Sequence, residues 1–333
     1  MNTDLMLKVN LMTRNYSELK RNFFLESNLI KQFIAMTNAI KNIEVDPDRI
    51  KEIKVFIKKE TAWASYFRGV NLLIIANLLS LEEDYKKFFM EMKLVYESLT
   101  RSGFKKSNYL TLAAYTIAKE VPRQNWNFTI ARMSSFYKSM KKNHFWLTSQ
   151  DDYVYAAILA VSQLEVEETC LDIENCYNHL YSLGFSRGNY LQSLSHVLAL
   201  GEESVQEKCH KALLINNKLK ESGCRLQYNS LATLGLVSLL ATDINKIVSD
   251  IREVYDYIYK QQGFGFWHMS KDIRTMFAAS FICNSYIDDY KKGLLPITTG
   301  NSINSILIVQ QQAAMTAVIA SSVAASSSAS TSN

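Results

Sequence analysis

The chain predicts an all-α protein built from stacked helical hairpins. Three observations carry this. Only three prolines occur in 333 residues, apolar positions recur at helical spacing, and one turn motif is written more than once. Gly103-Phe104 followed by Asn108-Tyr109-Leu110 returns as Gly184-Phe185 followed by Asn189-Tyr190-Leu191, with degenerate copies at Gly223-Cys224 and Gly263-Phe264. Successive glycines stand one or two multiples of about 40 residues apart, the length of a two-helix unit that hides its apolar side only by stacking on neighbours. The doubled interval predicts a hidden copy near residue 143. Lys142-Asn143-His144-Phe145-Trp146 stands there, matching Phe266-Trp267 and, more distantly, Trp63.

The elements follow in order. Residues 3 to about 43 read as two helices broken near Glu26-Ser27, with Phe23, Phe24 and Leu25 crowded before the break and Leu29, Ile30, Phe33, Ile34 and Met36 after it. Asp46-Pro47-Asp48 places a proline at a first helical position behind an acidic cap, which starts a helix through about Lys59. Each later unit pairs a longer, charged, amphipathic helix such as Glu82 to Thr100 with a shorter apolar one such as Tyr109 to Ala118. Leu72 to Leu79, Val154 to Val161, Leu191 to Leu200, Leu231 to Leu240 and Ile273 to Ile282 repeat the shorter type. Apolar helices belong between neighbours and half-polar ones outside them, so two layers are expected. The Gly-Phe corners suit helices that end in the left-handed region, with the following apolar residue packed back on the last turn. Ser107 and Ser270 are expected N-caps, and Thr148 or Ser149 with Asp151 or Asp152 resembles a capping box. The organisation expected is an N-terminal helical pair (1–45), six αα-hairpin repeats (46–292) and an uncharged Ala/Ser-rich tail (293–333).

Composition limits the function. A net charge of +5 with basic and acidic residues interspersed shows no nucleic-acid stripe. Five cysteines at irregular spacing argue for reduced thiols instead of a disulfide framework, and the absence of an apolar leader after Met1 makes a cytoplasmic protein the expectation. Residues 303–325 have the length to cross a bilayer, which needs about 20 apolar residues, but Gln310, Gln311 and Gln312 near the middle oppose that. A helix from Ile306 to Val323 docked on the last hairpin, or on a partner, fits better.

Chemistry is sparse. Asp151, Asp152, Asp272 and His268 fall at the starts of shorter helices and are the candidate acid-base groups, beside an aromatic wall of Trp146, Tyr153, Tyr155, Phe266 and Trp267. The competing account makes the acids helix caps and the aromatics core. Tyr109, Tyr190 and Tyr228 recur at one position of the unit, as binding anchors or as packing knobs between units. Cys170, Cys176, His179, Cys209 and His210 have ligand chemistry but no paired C-x-x-C, so no metal and no cofactor are expected. His144 and His196 read as satisfied core or boundary residues. No phosphate cradle, nucleophile elbow or H-E-x-x-H helix is present. The expectation is therefore an interaction scaffold for a peptide or protein, with an enzyme holding an acidic, aromatic-lined cavity, hydrolase-like or cyclase-like, as the alternative.

Six hairpins are also the number that closes into a ring in (α/α)6 toroids, and the glycine-aromatic linkers resemble those of terpene cyclases and prenyltransferase β-subunits. Their DDxxD run and Cys/His zinc set are missing here. An open superhelix of the armadillo or HEAT kind has units of similar length. Taken together, the N-terminal helical pair, the Gly-Phe corners with Asn-Tyr-Leu and the Ala/Ser tail resemble the bacterial domain-of-unknown-function 4003 family. That resemblance implies an uncharacterised all-helical protein and brings no site residues with it.

Overall fold

Longer charged helices alternate with shorter apolar ones up to residue 259, and each pair packs together; the final helix, Lys271–Lys291, breaks the pattern, its 21 residues running well beyond the short apolar helix expected over Ile273 to Ile282. The computed structural model describes residues 3–162, 164–291, 315–316 and 318–320. Among the described residues there are fourteen α-helices and no β-strand. Helix α1 (Thr3–Asn22) packs on α2 (Asn28–Ile40), α3 (Pro47–Glu60) on α4 (Asn71–Ser80), and α5 (Tyr85–Arg101) on α6 (Asn108–Glu120). The same holds for α7 (Trp126–Asn143) with α8 (Asp152–Val161) and α9 (Val166–Ser182) with α10 (Asn189–Leu198). Helix α11 (Val205–Glu221) packs on α12 (Leu231–Leu240), and α13 (Ile244–Tyr259) on α14 (Lys271–Lys291).

Amphipathicity sorts the helices into layers. Helix α5 buries one stripe, Phe89, Met92, Val95, Tyr96 and Leu99, and leaves its lysines in water. Helix α12 buries every residue from Ala232 to Leu240, because even-numbered neighbours cover it on both sides. Even helices pack on even helices (α6 on α8, α8 on α10, α10 on α12, α12 on α14), and odd on odd (α5 on α7, α7 on α9, α9 on α11, α11 on α13).

Local chemistry sets the ends. Asp46 Oδ1 accepts the Arg49 N–H at 2.9 Å behind Pro47, and Asp84 and Asp243 cap α5 and α13 in the same way. Such a cap is worth about 1 kcal/mol. Ser107 Oγ accepts the Leu110 N–H at 3.1 Å, while Ser270 offers its backbone carbonyl to the Arg274 N–H. At the other end of the odd helices, Gly103, Gly184 and Gly223 sit at φ +97°, +96° and +80°. In each, the N–H after the glycine reaches five residues back (Phe104 to Leu99, Phe185 to Leu180, Cys224 to Leu219), so a left-handed glycine closes the last carbonyls. Gly263 at φ +87° does something different: a Cβ there would lie 2.2 Å from Tyr16 Cε1.

The starts of the even helices and the connections before them meet in succession from α4 to α14. Asn71 Nδ2 donates to the Asn108 carbonyl and to Thr111 Oγ1, the Lys105 N–H to the Tyr153 hydroxyl, and Gln192 Nε2 to Thr148 Oγ1. The Tyr190 and Tyr228 rings meet edge to face, and the Arg225 N–H donates to Thr275 Oγ1. Gln32 Nε2 then donates to the carbonyls of Gly263 (2.6 Å) and His268 (3.3 Å), and the Tyr16 ring packs on Phe264. The first hairpin thus contacts the last, and also α3 and α4, within one continuous apolar core. Of the tail, Met315, Thr316, Val318 and Ile319 are helical and buried in that core; the rest of the expected Ile306 to Val323 helix lies outside the described residues.

Candidate functional site

Helix α8 starts with a carboxyl group that the fold shuts away from water. Asp152 is 2 % exposed, and one of its oxygens, Oδ2, accepts the Ser149 N–H at 2.9 Å, half of the capping box expected there. Ser149 Oγ bonds Asp151, the more exposed neighbour. Burial, reinforced by the charge of Asp151, pushes the Asp152 carboxyl well above the usual carboxylate range, against the Ser149 N–H that favours the ionised form.

The second oxygen of Asp152, Oδ1, stands 3.8 Å from His196 Nδ1 on α10. Neither ring nitrogen of His196 has a hydrogen-bond partner, and the imidazole is buried. Burial, and then the proximity of His144, holds its pKa down at about 3, so the ring is neutral. The expectation that His196 is a satisfied core residue is corrected: it is core, but its polar atoms are unmet. Beside it lies a cavity of about 10 Å³, walled in part by His144, Glu174, Gln192 and His196, which is room for one water. Gln192 Oε1 is also unpartnered, and His144 Nε2 stands 2.9 Å from Glu174 Oε2 without hydrogen-bond alignment. A single water has the partners it needs there.

Two tyrosines complete the cluster. Tyr155 lies with its ring 5.4 Å from His196, and burial raises its hydroxyl, with a bond to Ser193 opposing and Asp151, Asp152 and Tyr109 adding. Tyr109 on α6 is pushed up to about 12 by burial and by Asp151. The fold therefore gathers Asp151, Asp152, Tyr109 and Tyr155 from the expected set and adds His196. It leaves the others elsewhere. Asp272 and His268 belong to the start of α14, which packs on α12, α13 and α2; among the described residues no contact joins them to Asp152. His268 is exposed and meets Gln32 through its carbonyl alone.

The aromatic wall is corrected too. Tyr153 and Tyr155 are buried, but Trp146 and Trp267 are 92 % and 89 % exposed, each paired edge to face with the phenylalanine before it. Tyr190 and Tyr228 stay exposed while packing on each other, the contact between units expected of packing knobs. All five cysteines are free and buried. His179 and His210 approach to 3.5 Å, and the Cys209 thiol lies 3.8 Å from the Cys176 carbonyl; among the described residues no group of three metal-ligating side chains forms.

A second, open site was not legible in the sequence. Between the α3–α4 connection and α5 runs a groove of about 640 Å³, mostly apolar, floored by Tyr66, Phe67 and Tyr96 and edged by Lys93, Glu97 and Arg101. Lys93, Tyr96, Glu97, Thr100 and Arg101 share one helical face, which is why they line one side. Nothing in their residue types announces it, since the groove exists only because the connection stands off from the helix.

Comparisons with known proteins add a family and no activity. The model of the family described as Protein of unknown function (DUF4003) matches residues 15–313. "Uncharacterized protein YeaA" of Bacillus subtilis (strain 168) is 26% identical over 199 residues, covering 58% of this chain and 60% of that protein. The match thus spans less than two thirds of that relative's length. No solved structure matches the chain.

Proposed function

We propose that this chain, which belongs to the family described as Protein of unknown function (DUF4003), is a closed helical-repeat scaffold that holds a peptide or protein partner in the groove beside α5. The repeat reading is supported by the alternation of helix types and by the three equivalent glycine corners. Closure is supported by the contacts between successive helical pairs, which return from the last pair to the first through Gln32 and Tyr16. On this reading the N-terminal pair is a seventh unit of the ring and not an appendage.

The observation that carries the binding reading is the groove itself. Its size falls in the range of ligand sites, its floor is aromatic, and both signs of charge stand at its edges to orient a polar backbone. Selection of displayed random peptides on the full chain tests this. Peptides that bind the wild type and fail on Thr100→Trp, a variant that fills the groove and keeps the melting temperature, are the expected result. Peptides that bind both equally, or no enriched binder, would refute it.

A second reading, an (α/α)-type enzyme of hydrolase or cyclase character, draws on Asp152 and His196. A carboxyl pushed toward its protonated form 3.8 Å from a neutral imidazole pairs an acid with a base, both shifted by burial. The cavity beside them admits a water and no substrate, which favours the scaffold. Thermal-shift screening against small metabolites decides: a shift lost in Asp152→Asn supports the enzyme, and no shift for any compound supports the scaffold.

A further inference from the structure

The two ends of the helical pairs differ in kind. One end carries the connections that follow odd helices, and these bear exposed apolar tips: Phe24 and Leu25 after α1, Trp63 after α3, Trp146 after α7 and Trp267 after α13. The three tryptophans are 87 %, 92 % and 89 % exposed, so each stands in water almost whole. At the opposite end, Ile43 is the one large apolar side chain among the described connection residues that reaches the exposed class, and Trp126 is buried.

Charge divides the same way. The connections at this end contain Lys105, Lys106, Arg187, Arg225 and Lys260, all exposed; of these five, Lys260 shares a connection with a tip and the others lie in the connections between. The opposite connections contain Glu44, Glu83, Asp84, Glu165, Glu202 and Asp243 among others. Part of this follows from the helix dipoles, since odd helices start at the acidic end and finish at the basic one. The dipoles do not explain the tryptophans. A molecule of net charge +5 thus has a basic end that carries the tryptophan tips and an acidic end whose connections carry almost none.

The tips are also held in place. Arg274, 2 % exposed, donates to the carbonyls of Phe264, Gly265 and Met269 and to the Tyr255 hydroxyl, and so fixes the turn that presents Trp267. Arg68 does the same for Trp63, through Thr61 Oγ1 and the carbonyls of Lys58 and Thr61. A buried guanidinium at Arg274 and a half-buried one at Arg68 hold these turns in shape, so the tryptophans stay out.

We infer that this face docks on an anionic lipid bilayer, the tryptophan and leucine tips entering the headgroup region and the surrounding lysines and arginines facing the lipid phosphates. A protein partner would need anchors gathered near one pocket. Here the tips come from four connections, two from the first and one from each of the others, spread over one end of the helical pairs. A plane is the surface that meets all of them together. Tryptophan at the membrane–water boundary beside basic residues is the side-chain chemistry of interfacial binding, and each basic residue near such a surface adds about 1 kcal/mol. No helix among the described residues is long and apolar enough to cross the membrane, so the contact is peripheral.

Co-sedimentation of the full chain with vesicles tests it, comparing neutral phosphatidylcholine with a mixture containing about one third phosphatidylglycerol. The expected result is binding to the anionic vesicles alone, weakened by salt, with a blue shift of tryptophan emission. Trp63→Ser/Trp146→Ser/Trp267→Ser, whose substitutions lie on exposed tips, should lower the partition coefficient at least about tenfold at an unchanged melting temperature. Lys105→Glu/Lys106→Glu should lower it several-fold at low salt and weaken the salt dependence without abolishing it, since Arg187, Arg225 and Lys260 remain. Failure of the wild type to bind anionic vesicles at low salt, or equal binding by the triple-serine variant, would overturn the proposal. Loss of peptide binding in Thr100→Trp with vesicle binding intact would separate this face from the groove.

Discussion

Asp152 and His196 face each other across 3.8 Å, one carboxyl pushed toward protonation and one imidazole held neutral, both sealed from solvent. Each group is discharged by the same cause, burial, and each makes the protein sensitive to pH in its own direction.

For His196 the folded pKa lies below the unfolded one, so its contribution is present above pH 6.5 and is lost as pH falls toward 3. His196→Phe removes two unpartnered nitrogens and this titration. Its melting temperature at pH 7 should equal or exceed the wild type's, and the wild type's decline between pH 6.5 and 4 should shrink. At about 1.4 kcal/mol per pKa unit the difference at pH 4 amounts to a few kcal/mol.

For Asp152 the folded pKa lies above the unfolded one, so its contribution is complete below about pH 4 and is lost as pH rises through the folded value. Asp152→Asn keeps an oxygen for the Ser149 N–H and has nothing to ionise. The variant should be more stable than wild type at pH 7, and the gain should vanish near pH 4 in denaturant titrations. A constant gain at both values would mean that the carboxyl's ionisation is not involved.

Gly263 and Gly69 separate two effects of glycine. Both have positive φ, but a Cβ at Gly69 meets nothing within 4 Å, whereas at Gly263 it meets the Tyr16 ring. Gly69→Ala should cost about 1 kcal/mol from the backbone alone. Gly263→Ala should cost well above 2 kcal/mol by chemical denaturation, and Tyr16→Leu in the same chain should recover part of the loss.

Arg274 is a buried cation with four oxygen acceptors. Arg274→Met leaves three carbonyls and a hydroxyl with fewer donors and should destabilise by about 3 kcal/mol. Lysine should not restore it, because one ammonium cannot span the same acceptors. Faster depolarisation of Trp267 emission, in a background lacking the other tryptophans, would show that its turn has loosened.

Cys170, Cys176, Cys224 and Cys283 all have thiols raised above the ordinary range, by burial except at Cys176, where the bond to Cys209 leads. All five cysteines are buried, so a thiol reagent at pH 8 should label the native chain at less than about one tenth of the rate seen in denaturant.

Much of the fold was legible because it is local. Asp46-Pro47 marks a helix start and the Gly103, Gly184 and Gly223 corners mark helix stops through chemistry within a few residues, and the structure places them so. The break expected near Glu26-Ser27 falls between α1 and α2. The candidate site was half legible: Asp151 and Asp152 stood out as acids at a helix start, but His196 lies on another helix and meets Asp152 only after α8 and α10 pack. Asp272 shares Asp151's place in its unit, five residues after a tryptophan, yet equivalence in sequence does not bring two units together. Trp146 and Trp267 read equally well as wall or core, because aromatic residues in a turn carry no period to tell inside from outside. Lys208, 1 % exposed and paired with Asp172, likewise looks like any surface lysine until α11 meets α9.

Gln32 binds carbonyls that are synthesised more than two hundred residues after it. While the chain emerges from the ribosome, the opening hairpin must wait with one flank bare until residue 268 appears, so the earliest-made piece is the last to be fully covered. A protein stalled before α14 would expose two raw flanks, its first and its newest, and would be the form that chaperones and proteases recognise.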